Sequence, residues 1–268
     1  MTSKMVVFDV DGTVFPIGKG QCSEKTLQAL EACKKAGIIT SPCSGRSIFM
    51  FPEHLRKAIN TRYVIYCNGA YIADPVTGEI ANSNMVDAEK VEHYFRMFSD
   101  ETIYHKISTF TRFIDDNPDK KAPESIPTIF VDDIYEVLEN LGEPLVKAEF
   151  FFRKSLEWKP RILEVLNKDK DLAISCALPD NIEINNLNAT KGQAVRKLAE
   201  LYGLSLDEVM AVGDGDNDAS MLDAVGWAVA MGNGTETLKQ HADAVVGSVE
   251  EDGFAEAIWK YVLQNRKL

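Results

Sequence analysis

Short apolar runs alternate with amphipathic stretches at both ends of the chain. "MVVFDV", from residue 5, reads as a buried strand, "SEKTLQALEACKKAG" as a helix capped by Ser23 and stopped by Gly37, and "IITSPCSGR" as a second strand. The alternation returns after residue 186. It predicts a helix at "TKGQAVRKLAELYG", a strand at "VMAVGD", a helix at "NDASMLDAVG", a strand at "WAVAM", a helix at "TETLKQHA", a strand at "DAVVG" and a helix at "FAEAIWKYVLQN". Strands that are apolar throughout, set between helices, imply a parallel sheet covered on both faces.

The middle of the chain has a different rhythm. Aromatic and β-branched runs ("KISTFTRFI", "KAEFFFRK", "DLAISCAL", "NIEINN") follow one another between polar stretches, with helical periodicity at "DAEKVEHYFRMF" and "EWKPRILEVLNK". Consecutive strands of this kind predict an antiparallel sheet backed by helices. The expected organisation is an α/β core, residues 1–82 and 186–268, interrupted by an α+β domain at 83–185. Phe150, Phe151, Phe152 and Trp158 are expected in a core, and "DDNPDKKAPES" as an exposed loop.

Composition narrows the function. A chain of 268 residues that is 45% apolar is long enough to bury a sizeable core. Lys and Arg number 29 against 41 Asp and Glu, a net charge of -12, which argues against nucleic acid and anionic membranes as partners. Cys22, Cys33, Cys43, Cys67 and Cys176 are scattered and form no C-x-x-C pair, so neither a disulfide framework nor a thiolate zinc site is expected. The apolar run before Asp9 is too short for a signal peptide or a membrane span. The expectation is a cytoplasmic protein, a monomer or weak homo-oligomer.

Chemistry-bearing residues fall at strand ends and helix starts, where ligands of parallel α/β sheets bind. Asp9 and Asp11 close the first strand, and Asp214, Asp216 and Asp218 follow "VMAVG". "DG" at 11–12 also suits a hairpin turn, and "GDGDND" also suits a solvated acidic turn. Two carboxylate clusters at neighbouring strand ends call for a hard cation, and Mg²⁺ takes a few carboxylates plus water and phosphate oxygens. A calcium loop does not fit: from Asp214, Ala219 and Val225 occupy the required glycine and glutamate positions, and from Asp9 those positions hold Val14 and Gly20. Lys191, in the capping box from Thr190 to Gln193, starts a helix, where its charge opposes the dipole unless an anion is bound there. Ser44 is either a helix cap or, with backbone N–H groups, part of a phosphate cradle. Together these residues suit phosphoryl transfer: Asp9, at the strand end, attacks phosphorus, and Asp11, two residues on, serves the leaving oxygen.

"DVDGT", the "SGR" at 44–46, the "KG" at 191–192 and "GDGDND" followed by "MLDAVGWAVAMGN" together resemble the haloacid dehalogenase-like hydrolase superfamily, and within it the Cof-like phosphatases. The resemblance implies a Rossmann-like parallel-sheet core with an inserted α/β cap that selects the substrate. It implies Asp9 as nucleophile and Mg²⁺ ligand, and Asp11 as acid/base and a backbone-carbonyl Mg²⁺ ligand. It further implies Ser44, Gly45 and Asn217 on phosphate, Lys191 on phosphate and Asp9, Asp214 on Mg²⁺, and Asp218 supporting the metal through water. The expected activity is hydrolysis of a small phosphorylated metabolite, a sugar phosphate or phosphorylated cofactor, through an aspartyl-phosphate. A sugar phosphomutase of the same fold and a catalytically silent metabolite-binding protein are the alternatives.

Overall fold

A computed structural model of the chain describes residues 3–152, 156–176 and 178–264. Parts of three predicted elements, at 153–154, 177 and 265, lie outside the described residues. The chain divides into two compact units, one of residues 1–46, 51–82 and 190–268, the other of residues 47–50 and 83–189.

The first unit opens with β1 (Met5–Phe8), α1 (Glu24–Lys35) and β2 (Ile39–Pro42). Ser23 caps α1 by accepting the Thr26 N–H, and Gly37, at φ 68°, follows its end. Next come α2 (Glu53–Ala58), β3 (Val64–Tyr66), β4 (Tyr71–Ala73) and β5 (Ile80–Ser83), the strands forming a small sheet of their own. This sheet is absent from the reading of the sequence because its strands, three or four residues long, are too short to show a pattern.

The second unit contains α3 (Ala88–Met97), β6 (Ile103–Ser108), β7 (Phe113–Asp115), β8 (Thr128–Phe130), α4 (Ile134–Glu139), β9 (Lys147–Phe152), α5 (Trp158–Leu166), β10 (Leu172–Ser175) and β11 (Asn181–Asn186). Its sheet runs β10-β11-β9-β6-β7-β8. Pairing is antiparallel except for β7 and β8, which are parallel. The loop of residues 116–127, which holds all of the "DDNPDKKAPES" stretch except Asp115, buried at the end of β7, returns the chain to the end where β7 began, so β8 has to run the same way. Phe150 and Phe152 join the core between sheet and helices, with Trp158 partly buried against it. Phe151 is buried on the opposite face, its ring stacked 5.0 Å from that of Tyr104.

The chain then completes the first unit with α6 (Lys191–Leu201), β12 (Val209–Gly213), α7 (Ala219–Leu222), β13 (Trp227–Ala230), α8 (Glu236–Lys239), β14 (Ala244–Val245) and α9 (Gly253–Ala257). The predicted C-terminal helix changes winding after Ala257, and residues 258–263 form wider π-type turns. The helix predicted from residue 217 begins only at Ala219, because the Asp218 carboxylate accepts the N–H groups of Asp214 and Gly215 and pulls 216–218 into a tight 3₁₀ turn.

The main sheet is wholly parallel, in the order β14-β13-β12-β1-β2. Met5 and Val7 of β1 pack into a core shared with Ala194, Val195 and Leu198 of α6. Phe8 points to the other face, 4.9 Å from Phe254 of α9. From β1 the chain moves to β2 on one side, whereas β12, β13 and β14 succeed one another on the other. The switch of direction lies between β1 and β12, and a crevice opens beyond strand carboxyl ends at such a point.

The start of α6 is pressed against α7. A Cβ built on Gly192 would lie 2.2 Å from the Ser220 carbonyl oxygen, a backbone atom that cannot swing aside. Gly192→Ala is therefore expected to cost about 1–3 kcal/mol and to lower the melting temperature measured by circular dichroism. An unchanged melting temperature would show that the two helices are not in this contact.

Candidate functional site

Strand register brings the acidic residues together. Phe8 pairs with Val212 on one side and Pro42 on the other. Asp9 therefore leaves the sheet at the same edge as Asp214, two residues beyond Val212, and Ser44, two beyond Pro42. The Asp9 N–H donates to Val212 O at 3.0 Å and the Cys43 N–H to Phe8 O at 2.8 Å, extending the ladders to this edge.

Lys191 comes from the other direction, at the first position of α6, where Thr190 caps the helix by accepting the Gln193 N–H at 3.3 Å. Its side chain is 1% exposed, and its Nζ donates to Asp9 Oδ1 and Asp218 Oδ1, each at 2.5 Å. The anions that offset its unfavourable place on the helix dipole are thus two carboxylates of the chain itself. Asp218, fully buried, has both oxygens engaged, since Oδ2 accepts the N–H of Asp214 at 2.9 Å and of Gly215 at 3.0 Å. Asp214 Oδ1 accepts the Thr13 hydroxyl at 2.7 Å. One oxygen each from Asp9, Asp214 and Asp218 lies within 4.8 Å of the others, an arrangement able to hold a metal ion.

The turn after Asp11 explains its glycine. Gly12 has φ 87°, and a Cβ there would meet Asp214 Oδ2 at 2.1 Å, so a side chain is excluded both by backbone strain and by the acidic residue behind it. Val10 O accepts the N–H groups of Thr13 and Val14 at 3.4 and 3.0 Å and the Gly12 N–H donates to Phe15 O at 2.9 Å, a tight turn whose Asp11–Phe15 bridge is parallel, not the hairpin the "DG" pair also suits. Asp11 itself stands apart from the three carboxylates above. Its oxygens accept from Arg46, Nε to Oδ2 and Nη2 to Oδ1, both at 2.7 Å.

Ser44, buried, accepts the Arg46 N–H on its hydroxyl at 3.1 Å. A Cβ on Gly45 would lie 3.1 Å from Asn68 Oδ1, and the same oxygen accepts from Asn217 Nδ2 at 3.3 Å. Asn68 thus gathers the segments carrying Gly45 and Asn217. Cys67, Asn68 and Gly69 have φ values of 49°, 58° and 101°, three successive residues in the left-handed region. Such a run is sustained only where its surroundings hold it. Here the Asn68 N–H donates to Ser44 O and the Cys67 N–H to Arg46 O, both at 3.0 Å. Thr13, Arg46 and Asn233, whose Nδ2 donates to Gly12 O at 2.9 Å, lie in the quoted motifs without an assigned role, and Asn68 lies outside them. "CNG" at 67–69 was the available signal, because asparagine and glycine together mark positive φ.

Charge is unbalanced at this edge. Burial, above all, pushes the Asp9 carboxyl up to about 7; Lys191 opposes the shift, and Asp218 and Asp214 add to it. Burial likewise lifts Asp214 to about 6 against the Thr13 hydrogen bond, with Asp218 repelling its charge. Lys191 moves the other way: burial disfavours its charge, but Asp218 and Asp9 outweigh this and hold the ammonium above its usual range.

The description "haloacid dehalogenase-like hydrolase" matches residues 6–258 of the chain. The chain belongs to the haloacid dehalogenase-like hydrolases. It is 29% identical to "Phosphatase YwpJ" of Bacillus subtilis over 94% of this chain and 97% of that one. It is 28% identical to "5-amino-6-(5-phospho-D-ribitylamino)uracil phosphatase YcsE" of the same organism, covering 97% and 96%. It is 25% identical to "Pyridoxal phosphate phosphatase YbhA" of Escherichia coli, covering 98% and 100%. Among solved structures, a haloacid dehalogenase-like hydrolase from B. subtilis superposes with a TM-score of 0.84 at 25% identity, covering 97% of this chain and all of that one. The resemblance carried by "DVDGT", "SGR", "KG" and "GDGDND" holds, as does the fold class, a parallel-sheet core with an inserted α+β domain. The expectation of a phosphoric monoester hydrolase holds in the same sense: the family is one of hydrolases, and these relatives are named as phosphatases. Among the described residues no helix is long and apolar enough to cross a membrane.

The shifted carboxyls give a signed expectation for the protein in EDTA. Asp9 and Asp214 are raised from 3.8 to about 7 and about 6, so between these values the fold binds more protons than the unfolded chain. The stability from this source is complete below 3.8 and is lost as pH rises through about 6 to 7. Melting temperature should fall between about pH 4 and about pH 7, and Asp214→Asn should flatten that slope. An identical slope in the variant would contradict the assignment.

Proposed function

We propose that this protein is a Mg²⁺-dependent phosphatase of small phosphorylated metabolites, sugar phosphates or phosphorylated cofactors, acting through an aspartyl-phosphate on Asp9. The observation that carries the reading is the buried Lys191 ammonium held 2.5 Å from both Asp9 and Asp218, with Asp214 grouped beside them. The donor set fits Mg²⁺, because it consists of hard carboxylate oxygens with no sulfur or imidazole among them. The raised Asp9 and Asp214 carboxyls mark a site short of positive charge. Asp9, Asp214 and the Asp11 carbonyl would hold the ion, with Asp218 supporting it through water. When bound, Mg²⁺ supplies neutralisation of phosphate oxygens.

The chain's own groups do the rest. Asp9, aimed by Lys191, presents an oxygen to phosphorus. As the Asp9–phosphorus bond forms, the bond to the leaving oxygen breaks and Asp11 gives that oxygen its proton. Asp11 then takes a proton from water, whose oxygen attacks phosphorus, and the bond to Asp9 breaks to release inorganic phosphate. Ser44, Gly45 and Asn217 hold the remaining phosphate oxygens, and Lys191 compensates their charge. The names of YcsE and YbhA, each for a small phosphorylated compound, support the substrate class. We assign residues 83–185 to a cap that selects the substrate. A cytoplasmic location is supported by five cysteines that are all free.

The test is phosphate release across a panel of phosphorylated metabolites with and without Mg²⁺. Release should require the ion, and Asp9→Asn should lose at least about 10³-fold in kcat while keeping its circular dichroism spectrum. Activity retained in Asp9→Asn would remove Asp9 as the nucleophile.

A further inference from the structure

Arg46 ends "SGR" and has no part in the steps above. Its place in the fold gives it one. The main chain is fixed in the Ser44 loop, the N–H donating to Ser44 Oγ at 3.1 Å and the carbonyl accepting the Cys67 N–H at 3.0 Å. The guanidinium lies 5.3 Å from the centre of the Phe15 ring, which is fully buried, and makes a two-point contact with Asp11 at 2.7 Å on each oxygen. Asp11 and Phe15 are the two ends of one tight turn, joined by a β-bridge and by the hydrogen bond from the Gly12 N–H to Phe15 O. The aromatic floor under Arg46 and the carboxylate it grips are therefore parts of the same rigid piece.

We propose that Arg46 is the positioning residue of Asp11, tying the aim of the acid/base to the loop that holds the phosphate. The inference rests on the phosphatase reading above. A planar fork that engages both carboxylate oxygens fixes the rotation of the carboxyl group, which a single-point donor cannot do. Each oxygen accepts one N–H and keeps a second lone pair, so Asp11 can carry a proton to the leaving oxygen while the fork holds the carboxyl in line. Arg46 acts through Asp11 in this scheme and does not bind the phosphate.

The readout is sensitivity to the leaving group. p-Nitrophenyl phosphate loses its alcohol without needing a proton, whereas benzyl phosphate, of similar size, needs one. With Mg²⁺ present, Arg46→Met and Arg46→Lys are expected to lose at least about tenfold more kcat/KM on benzyl phosphate than on p-nitrophenyl phosphate, mostly in kcat. In an Asp11→Asn background, Arg46→Met should add no further loss to the pre-steady-state burst of nitrophenolate. Equal losses on both esters, carried by KM and persisting beside Asp11→Asn, would place Arg46 on the phosphate and overturn the proposal. Should Arg46→Met fail to fold, Arg46→Lys, which keeps the charge without the fork, carries the same comparison. A wild-type protein silent on every ester overturns the phosphatase reading and this proposal with it; an active one with uniform losses overturns the role of Arg46 alone.

Discussion

A lysine ammonium sealed between two carboxylates organises this molecule. Removing an ion from water costs several kcal/mol even after relaxation. Lys191, 1% exposed, has its charge answered by Asp9 and Asp218 at 2.5 Å. Neither carboxylate is near it in sequence; the separations are 182 and 27 residues. The pair contacts therefore hold the end of β1, the start of α6 and the loop after β12 at one point. Replacing Lys191 by an apolar residue would leave two buried carboxylates facing each other with no cation between them, so the arrangement is coupled in a way that hydrophobic packing is not. Gly192, pressed against the Ser220 carbonyl, lets α6 come close enough for that contact.

Around this pair the parallel sheet supplies position and the loops supply chemistry. Strands β12, β1 and β2 run the same way, so their carboxyl ends form one edge, and each contributes a polar residue just past its last pair. The loops depart from ordinary backbone where they approach one another. Gly12 is left-handed against Asp214, and Cys67 to Gly69 form a left-handed run beside Ser44 and Arg46. Local strain of this kind persists when neighbouring hydrogen bonds over-determine it.

Two carboxylates at this edge have divergent surroundings. Asp9 is buried among other acids and beside one ammonium; Asp11 is more than a third exposed, 36%, and is matched to a guanidinium fork. Identical side chains two residues apart thus have different partners, and it is Asp9, short of positive charge in the metal-free site, whose carboxyl is pushed up to about 7 and whose ionisation a bound cation would favour. The two-residue spacing puts the second carboxylate beyond the sheet, in a turn whose shape depends on Gly12.

Some of this was legible in the order of residues. Apolar runs without alternation announced a two-sided parallel sheet, Ser23 and Thr190 marked helix starts, and "DVDGT" with "GDGDND" named the acidic groups, because these signals depend on neighbours a few positions away. Nothing local revealed the small sheet of β3 to β5 or the parallel pairing of β8, since strands of three or four residues are too short to show a pattern and strand direction is set by where a long loop returns. Thr13, Arg46 and Asn233 stood inside quoted motifs and Asn68 in "CNG", but none was given a role. Each is a common polar residue whose role comes from a partner that only folding brings within hydrogen-bond reach. The residue types at the strand ends were determined by the sequence alone, whereas their pairing, burial and charge balance were decided by tertiary structure, because Coulomb and desolvation energies depend on distances in space.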